Sequence, residues 1–389
     1  MGSQRPPRAA VRAALRAELA DLEPGNRVVV GLSGGADSLA LTAGAAAVSR
    51  ELGLLCEAIV VDHQLQVGSA AIAARAAEQA GILGCADVRV VTVEVAHGPG
   101  AGGIEAAARA GRYGALDAAA AGSDGPPSVP VAAAVLLGHT REDQAETVLL
   151  GLARGSGTRS LSGMRARAGR YRRPLLGLPR GVVAAAAWAA AESDARLEPW
   201  TDPHNGDPAY ARVRVRSQVL PLLESTLGPG IVEALARTAA LAQEDADALD
   251  AWADRVWAQV QMGGAGDDSG TSRPHPRSPD IAAPELGGVV AAEGRQPSGL
   301  PDRPPTSGLP LSLMPVDALH PRAGDLPPAV IHRVIRRFLV DAGCPPGDLS
   351  FGHIRAVAGL LELHGARAEI ALPGGVRARR VDDALVVRA

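Results

Sequence analysis

The sequence predicts an α/β protein: a doubly wound parallel sheet, followed by a helical extension and a small α+β C-terminal domain. From Arg27 onward, short apolar runs alternate with Ala-rich helical stretches, which is typical of βαβ units that build a parallel sheet. The apolar runs carry hydrophobic residues at nearly every position, which indicates strands buried on both faces. The length of 389 residues fits two or three domains of ordinary size.

Four strands and four helices are predicted in the first half of the chain. The strands are Val28 to Leu32, Leu55 to Val61, Val88 to Val95 and Val131 to Gly138. The helices run near 36–50, 70–82 and 103–120, and a fourth begins near Thr140. We expect this sheet domain to occupy residues 1–225.

The amino-acid composition and the predicted elements change in the second half of the chain. A helical connector is predicted over residues 226–262. Gly and Pro fill 18 of the 48 positions of residues 263–310, and no aromatic residue occurs there, so this segment is predicted to be a disordered insertion. Residues 311–389 form the predicted C-terminal domain, with a short strand, helices at 329–342 and 350–363, and a terminal hairpin near 372–387.

Composition excludes several kinds of chemistry. The chain has no Lys, so all 39 basic residues are Arg, and both a Walker A loop and Schiff-base catalysis are ruled out. Its three cysteines, Cys56, Cys85 and Cys344, form no CxxC pair, which argues against a disulfide framework and against a Cys-rich metal site. We find no apolar leader and no apolar run long enough for a membrane span, and we predict a cytoplasmic protein.

The strongest local signal lies where the first strand ends. Val28 to Leu32 leads into Ser33-Gly34-Gly35-Ala36-Asp37-Ser38 and then into a helix. Two glycines allow a tight turn close to a ligand, and the N-terminus of the helix offers backbone N–H groups and a partial positive charge. The alternative is an ordinary strand-to-helix turn with a Ser or Asp cap. We favour a phosphate-binding loop.

This loop resembles the SGGxDS signature of the PP-loop ATP pyrophosphatases, which cleave ATP to AMP and pyrophosphate without a Walker Lys. Further stretches resemble one branch of these enzymes, the tRNA(Ile)-lysidine synthases. They are Val60-Val61-Asp62-His63, Gly138 to Thr147, Arg154-Gly155-Ser156-Gly157, and the run from Asp202 to Pro221. In the last run Val213 stands where the family commonly has Asn. The resemblance is dense over residues 25–225 and loose at the C-terminus.

The resemblance implies a ligase that attaches free L-lysine to the wobble cytidine of tRNA(Ile) with a CAU anticodon, through an adenylated cytidine. It implies ATP and Mg²⁺ as cofactors, a C-terminal domain that binds tRNA, no membrane partner and a possible homodimer. The residues expected around the nucleotide are Ser33, Gly34, Gly35, Ala36, Asp37, Ser38, Asp62 and His63. Alternatives are a tRNA-thiolating PP-loop enzyme, a small-molecule AMP-forming synthetase and an inactive RNA-binding module.

The fourth helix carries candidate catalytic residues. His139, Asp143 and Glu146 are spaced i, i+4, i+7 and would share one helical face. At the carboxyl edge of the sheet such a face could hold Mg²⁺, with Asp37 and Asp143 as its ligands, and could orient a nucleophile. The alternative is a solvated face whose acids complement the helix dipole.

The third helix repeats this spacing in Glu105, Arg109 and Arg112. The resemblance implies that one of these arginines lies near the reacting groups, where a permanent cation can stabilise charge on phosphorus. Whether Arg109 or Arg112 has this role is left open by the spacing.

An Arg-rich segment follows the fourth helix. Between Arg154 and Arg180 there are eight Arg and no Asp or Glu, which predicts contacts with the phosphates of an RNA. The alternative is a codon bias that raises the Arg content everywhere. The predicted tRNA contacts are Arg154, Arg159, Arg165, Arg167, Arg172, Arg173, Arg212 and Arg216.

Overall fold

A computed structural model describes residues 5–94, 104–122, 130–155, 158–263, 312–315, 326–362 and 368–388. The chain divides into two compact units, Met1–Ala246 and Asp247–Ala389. The predicted insertion, 263–310, lies outside the described residues from residue 264 onward. The domain boundaries given above stay a prediction.

The first unit contains six strands. They are β1 (Arg27–Leu32), β2 (Leu55–Asp62), β3 (Asp87–Thr92), β4 (Ala134–Leu136), β5 (Arg167–Ala168) and β6 (Tyr171–Arg172). Its first helices are α1 (Pro7–Leu19), α2 (Ala36–Leu52), α3 (Ser69–Leu83), α4 (Ile104–Ala121), α5 (Arg141–Ala153), α6 (Thr158–Leu161) and α7 (Arg180–Ser193). Then follow α8 (Ala211–Arg214), a π-helical turn (Val215–Val219), α9 (Leu220–Leu227) and α10 (Ile231–Gly263), within which the two units divide.

The six strands form one sheet in the order β3-β2-β1-β4-β6-β5. β1 is parallel to β2 on one side and to β4 on the other, and only the β5–β6 pair is antiparallel. The strand order therefore reverses direction at β1 and β4, and in open α/β sheets ligands bind in the crevice at such a point. The doubly wound, mainly parallel sheet is confirmed.

Side chains of β1 alternate between two core layers. Val28 and Val30 pack among residues of α1, α2 and α7, whereas Val29 packs among residues of α4 on the other face. Helices thus cover both faces of the central strand, as predicted for an apolar parallel sheet. β3 is different, because it is an edge strand and Val90 is 44% exposed. The expectation that all four strands are buried on both faces is wrong for β3.

The second unit is a small α+β domain, as predicted. Its strands are β7 (Ser312–Pro315), β8 (Glu369–Ala371), β9 (Arg377–Val381) and β10 (Ala384–Arg388), in the antiparallel order β7-β10-β9-β8. Helices α11 (Pro328–Asp341) and α12 (Phe351–Glu362) pack with the last part of α10 and with this sheet in one hydrophobic core.

None of the helices in the described residues is, taken singly, both long and apolar enough to cross a bilayer. One pair, Ala211–Leu227 with Ile231–Gln261, meets the criteria of length and composition together, but it is bent by 101°.

Candidate active site at the carboxyl edge of the sheet

The loop after β1 turns the chain sharply into α2. Gly34 has a φ of +82°, a conformation that glycine adopts without strain. The Ser38 hydroxyl donates to the Gly35 carbonyl at 2.9 Å and lies 3.1 Å from the Ser33 hydroxyl. Among the described side chains none caps the N-terminus of α2, which leaves its first backbone N–H groups available to an anion.

The chain that follows α7 covers this loop. The Trp200 N–H donates to the Gly34 carbonyl at 2.9 Å. The buried amide of Gln79, on α3, donates to the carbonyls of Arg196 and Glu198 at 3.1 and 2.9 Å. These contacts hold the loop between α3 and the covering chain, and neither Gln79 nor Trp200 was among the predicted site residues.

Asp143 is fixed by the N-terminal cap of α5. Its Oδ2 accepts hydrogen bonds from the Thr140 N–H at 2.7 Å and from the Thr140 hydroxyl at 2.8 Å. Because α5 begins at Arg141, His139 precedes the helix. The expectation that His139 shares a helical face with the two acids is therefore wrong, whereas Asp143 and Glu146 do share one at i, i+3.

Two arginines join the acids in what we call the carboxylate cluster: Asp37, Asp143, Glu146, Arg180 and Arg216. Three nitrogens of Arg180 lie 2.6 Å from Asp143 Oδ1, 3.5 Å from Asp37 Oδ2 and 3.6 Å from Glu146 Oε1. Arg216 Nε donates to Glu146 Oε1 at 2.6 Å, and its Nη2 lies 3.3 Å from Asp143 Oδ1. Glu146 is fully buried, so the two cations offset the charge of an acid that water does not reach.

Arg180 is the member of the cluster that sequence reasoning missed. It is the first residue of α7, where the helix dipole disfavours a cation. The Glu142 carboxylate accepts its backbone N–H at 2.7 Å. A cation in this unfavourable position was a usable signal that acidic partners lie nearby.

Arg216 was predicted to contact tRNA; that contact stays a prediction, and the structure places the residue beside the acids. The residue lies on the π-helical turn that follows α8, and π-helical turns are frequent at functional sites. Its guanidinium is held by Glu146 and Asp143 inside the carboxylate cluster. It is therefore a member of the candidate active site.

The environment pushes the pKa values of two neighbouring acids apart. Burial raises the pKa of Asp37 to about 6, although Arg180 opposes this effect. Burial also favours protonation of Asp143, but Arg180 and the hydrogen bonds from Thr140 outweigh it and lower its pKa. Acids with separated pKa values in one cleft are typical of catalytic sites.

Two histidines have ring nitrogens without protein partners. Both nitrogens of His63 and Nδ1 of His139 are buried, and none has a hydrogen-bond partner among the described residues. Burial lowers the pKa of His139 to about 4, and burial followed by the charge of Arg112 lowers the pKa of His63. Both rings are therefore neutral at pH 7, with donors and acceptors that a bound ligand can satisfy.

Arg109 and Arg112 lie on α4, near the histidines. Arg109 lies 4.9 Å from the centre of the Tyr113 ring and donates to the Tyr113 hydroxyl at 3.1 Å. The charges of both arginines lower the pKa of His139. The choice between them stays open, and the side chain of Glu105 lies outside the described residues. Asp62, also buried, accepts the Gln64 N–H at 2.9 Å.

Gly138 brings the end of β4 against the phosphate loop. A Cβ atom here would lie 3.2 Å from the Asp37 carbonyl oxygen and 3.4 Å from Ser38 Cα. We predict that Gly138→Ala displaces Asp37 and lowers kcat about tenfold, because misplacement by about 1 Å can cost about 10²-fold. Gly81→Ala is the control, because its Cβ would meet nothing within 4 Å. Equal kcat values for the two variants would show that the contact at Gly138 does not position Asp37.

The structure places Arg172, another predicted tRNA contact, in the interior of the first unit. It is 7% exposed, and it donates to both carboxylate oxygens of Asp21, at 2.6 and 3.0 Å. Its hydrogen bond holds the pKa of Asp21 at about 2. Arg173 is equally buried and donates to the Tyr113 hydroxyl at 3.2 Å. Neither guanidinium lies on an open surface for RNA.

We predict that Arg172→Gln destabilises the fold without weakening RNA binding. Loss of the hydrogen bonds to a charged partner should lower the free energy of unfolding by about 2 kcal/mol. Urea denaturation measures this loss, and the salt dependence of tRNA affinity should match that of the unmutated protein. A flatter salt dependence with unchanged stability would restore Arg172 as an RNA contact.

The fold and the site define a class of protein. A lysine-free phosphate loop after the first strand, with acids from α5 at the point where the strand order reverses, is the arrangement of a PP-loop ATP-using domain. The PP-loop domain family matches residues 8–223, and the TilS substrate binding domain family matches residues 324–386.

Comparison with individual relatives identifies the family within this class. The tRNA(Ile)-lysidine synthase of Thermobifida fusca is 44% identical over 389 residues, which is 100% of both chains. That of Streptomyces coelicolor is 43% identical over 93% of this chain and 85% of its own. That of Leifsonia xyli is 56% identical over 60% of this chain and 65% of its own. The chain belongs to the tRNA(Ile)-lysidine synthase family.

Proposed function

We propose that this protein makes lysidine: it joins free L-lysine to the wobble cytidine of tRNA(Ile) with a CAU anticodon and cleaves ATP to AMP and pyrophosphate. The observation that carries the proposal is the phosphate loop facing the carboxylate cluster in a chain related over its full length to lysidine synthases. The second unit, which matches a substrate binding domain, supports a tRNA substrate.

The proposed reaction has two steps. The cytosine oxygen at C2 attacks the α-phosphorus of ATP, and pyrophosphate leaves with the electrons of the broken P–O bond. The lysine ε-amine then attacks C2, the C2–O bond breaks, AMP leaves, and the attacking nitrogen releases protons. Activation is needed because the unmodified oxygen is a poor leaving group.

The residues described above would serve these steps through charge. Backbone N–H groups at the start of α2 would hold the departing pyrophosphate, whose charge they partly neutralise. Arg109 or Arg112 would stabilise charge on phosphorus. The acids of the carboxylate cluster would bind the ammonium group of lysine in place of their arginine partners. One of these carboxylates would then accept a proton from the ammonium group, which frees the amine to attack.

We include Mg²⁺ in the proposal. The residues present could bind it as two carboxylates that share the ion with the substrate phosphates. No group of three or more His, Cys, Asp or Glu side chains in the described ranges is arranged to hold a metal ion by itself. Mg²⁺ commonly takes one or two carboxylates and completes its shell with substrate phosphates and water. Asp37 and Asp143, which face each other across Arg180, would be those carboxylates. The bound ion would neutralise phosphate charge.

The test is substrate dependence. Pyrophosphate release should require ATP and tRNA(Ile) with the CAU anticodon, and methionine tRNAs with the same anticodon should be poor substrates. Pyrophosphate released without tRNA would favour a small-molecule synthetase. We place the reaction in the cytoplasm, and the homodimer stays a prediction.

A further inference from the structure

A cavity of about 250 Å³ lies along the C-terminal half of α5. Its lining includes Thr147, Gly151 and Arg154 from α5 and the residue after it, Arg159 and Ser160 from α6, and Arg212 from α8. Three of the lining residues are arginines, and none of the lining residues is acidic. The cavity therefore favours an anion.

Hydrogen bonds and close packing hold the elements beside this cavity together. The buried amide of Gln144 donates to the Met164 carbonyl at 3.0 Å and accepts the Met164 N–H at 2.8 Å. Gln243 donates to the same carbonyl at 2.9 Å. At Gly151 a Cβ atom would lie 2.7 Å from the Ser160 carbonyl oxygen, so α5 and α6 meet in close contact. This packing fixes the position of the lining residues Gly151 and Ser160.

The cavity adjoins the candidate active site. Thr147 is one helical turn beyond Asp143, and Arg154 follows Asp143 by 11 residues, which is about 16 Å along a helix axis. Arg212 precedes Arg216 by four residues, so one helical segment contributes to both places. The cavity and the carboxylate cluster are therefore built on the same two stretches of chain, α5 with the residue after it and Arg212 to Arg216.

We propose that this cavity, the phosphate pocket, binds a backbone phosphate of the tRNA that flanks the target cytidine. The inference rests on the proposed function and adds the element that positions its RNA substrate. Guanidinium groups bind phosphate oxygens through paired hydrogen bonds, which fix orientation as well as position. A phosphate anchored here would set which nucleotide reaches the carboxylate cluster, independently of its base.

The test combines protein and RNA changes in the full-length enzyme. The variants are Arg154→Gln, Arg212→Gln and the double variant, and Arg16→Gln is the control because Arg16 pairs with Glu51 on the surface. Full-length tRNA carries one neutral methylphosphonate at a time at each phosphate flanking the wobble cytidine. Lysidine formation is measured as kcat and KM for tRNA, and KM for ATP is measured alongside.

We expect the double variant to raise KM for tRNA about 10- to 100-fold with KM for ATP unchanged. One methylphosphonate should impair the unmutated enzyme and the control but cost the double variant nothing further, because both changes remove the same contact. If every methylphosphonate impairs the double variant as much as the unmutated enzyme, the proposal is overturned.

Two other outcomes are distinguished by the same experiment. If pyrophosphate inhibits the unmutated enzyme and not the double variant, while the methylphosphonate effects stay additive, the cavity binds a free anion and the proposal is wrong. Lysidine formation by the unmutated enzyme on unmodified tRNA reports on the proposed function separately. Absence of that product would reject the function, whereas its presence with additive effects would reject the pocket alone.

Discussion

Replacing Asp37 by Asn should lower tRNA-dependent pyrophosphate release by about 10²- to 10³-fold, the usual effect of removing one preorganised electrostatic group. The substitution keeps the shape of the side chain and removes its charge. Asp37 lies within the phosphate loop, in the first turn of α2, and 3.5 Å from Arg180. The loss should appear in kcat, because this carboxylate would hold the Mg²⁺ that neutralises charge on the phosphates.

The same variant should be more stable than the unmutated protein at pH 8. In the folded state the pKa of Asp37 is raised from 3.8 to about 6, so the folded protein holds this proton more tightly than the unfolded chain does. Stability from this group is therefore complete below pH 3.8 and is lost as the pH rises through about 6. Above pH 6 the buried charge costs roughly 1–3 kcal/mol, which Asn avoids.

Thermal unfolding at pH 4 and pH 8 measures this effect. The stability difference between Asp37→Asn and the unmutated protein should be largest at pH 8 and small at pH 4. Asp87→Asn is the matched control, since Asp87 is an exposed acid at the sheet edge whose partner is Arg89. Near-normal pyrophosphate release, or a variant less stable at pH 8, would contradict the role given to Asp37.

Replacing Arg180 by Gln should cost about 3 kcal/mol of stability at pH 8, as expected when a largely buried ion pair loses one partner. Arg180 lies within 3.6 Å of all three acids of the carboxylate cluster, so its loss leaves Arg216 as their remaining cation in the cluster. Because Arg180 helps to lower the pKa of Asp143 below its ordinary value of 3.8, this contribution is complete above pH 3.8 and is lost as the pH falls below 3.8 through the lowered pKa. The stability loss should therefore shrink at acidic pH.

Magnesium offers a second measurement on this variant. Without Arg180, the carboxylates are open to a divalent cation, which stabilises the folded state by binding it. MgCl2 should raise the Tm of Arg180→Gln more than that of the unmutated protein or of the surface control Arg16→Gln. Equal responses to MgCl2 would show that these carboxylates do not form a cation site.

Local hydrophobic patterns were enough to predict the four longer strands of the sheet. They did not predict how exposed a strand is, because exposure depends on the position of the strand in the sheet. The segment Asp87–Thr92 has the apolar residues of a buried strand, but its exposure follows from its place at the edge, which depends on strand order. α1 was not predicted, although Val11, Leu15 and Leu19 repeat every four residues and are buried. Its Arg-rich opposite face masked an ordinary amphipathic helix.

The site was predictable to the extent that it is local in sequence. The phosphate loop lies within six residues, so its chemistry is visible as a motif. The roles of Arg180 and Arg216 depend on contacts with residues 34 to 143 positions away, which spacing cannot show. The burial and pairing of Arg172 could not be predicted for the same reason, because its partner Asp21 comes 151 positions earlier.

The most direct test of the proposed function is to identify the nucleoside that forms when the protein is incubated with labelled L-lysine, ATP, Mg²⁺ and transcribed tRNA(Ile) with the CAU anticodon. After digestion of the tRNA, the label should appear in a single modified cytidine, one per tRNA, and only when all substrates are present. The chain has no Lys, so labelled product cannot arise from its own side-chain amines. Label in no nucleoside, or label incorporated equally with methionine tRNA, would contradict the proposed function.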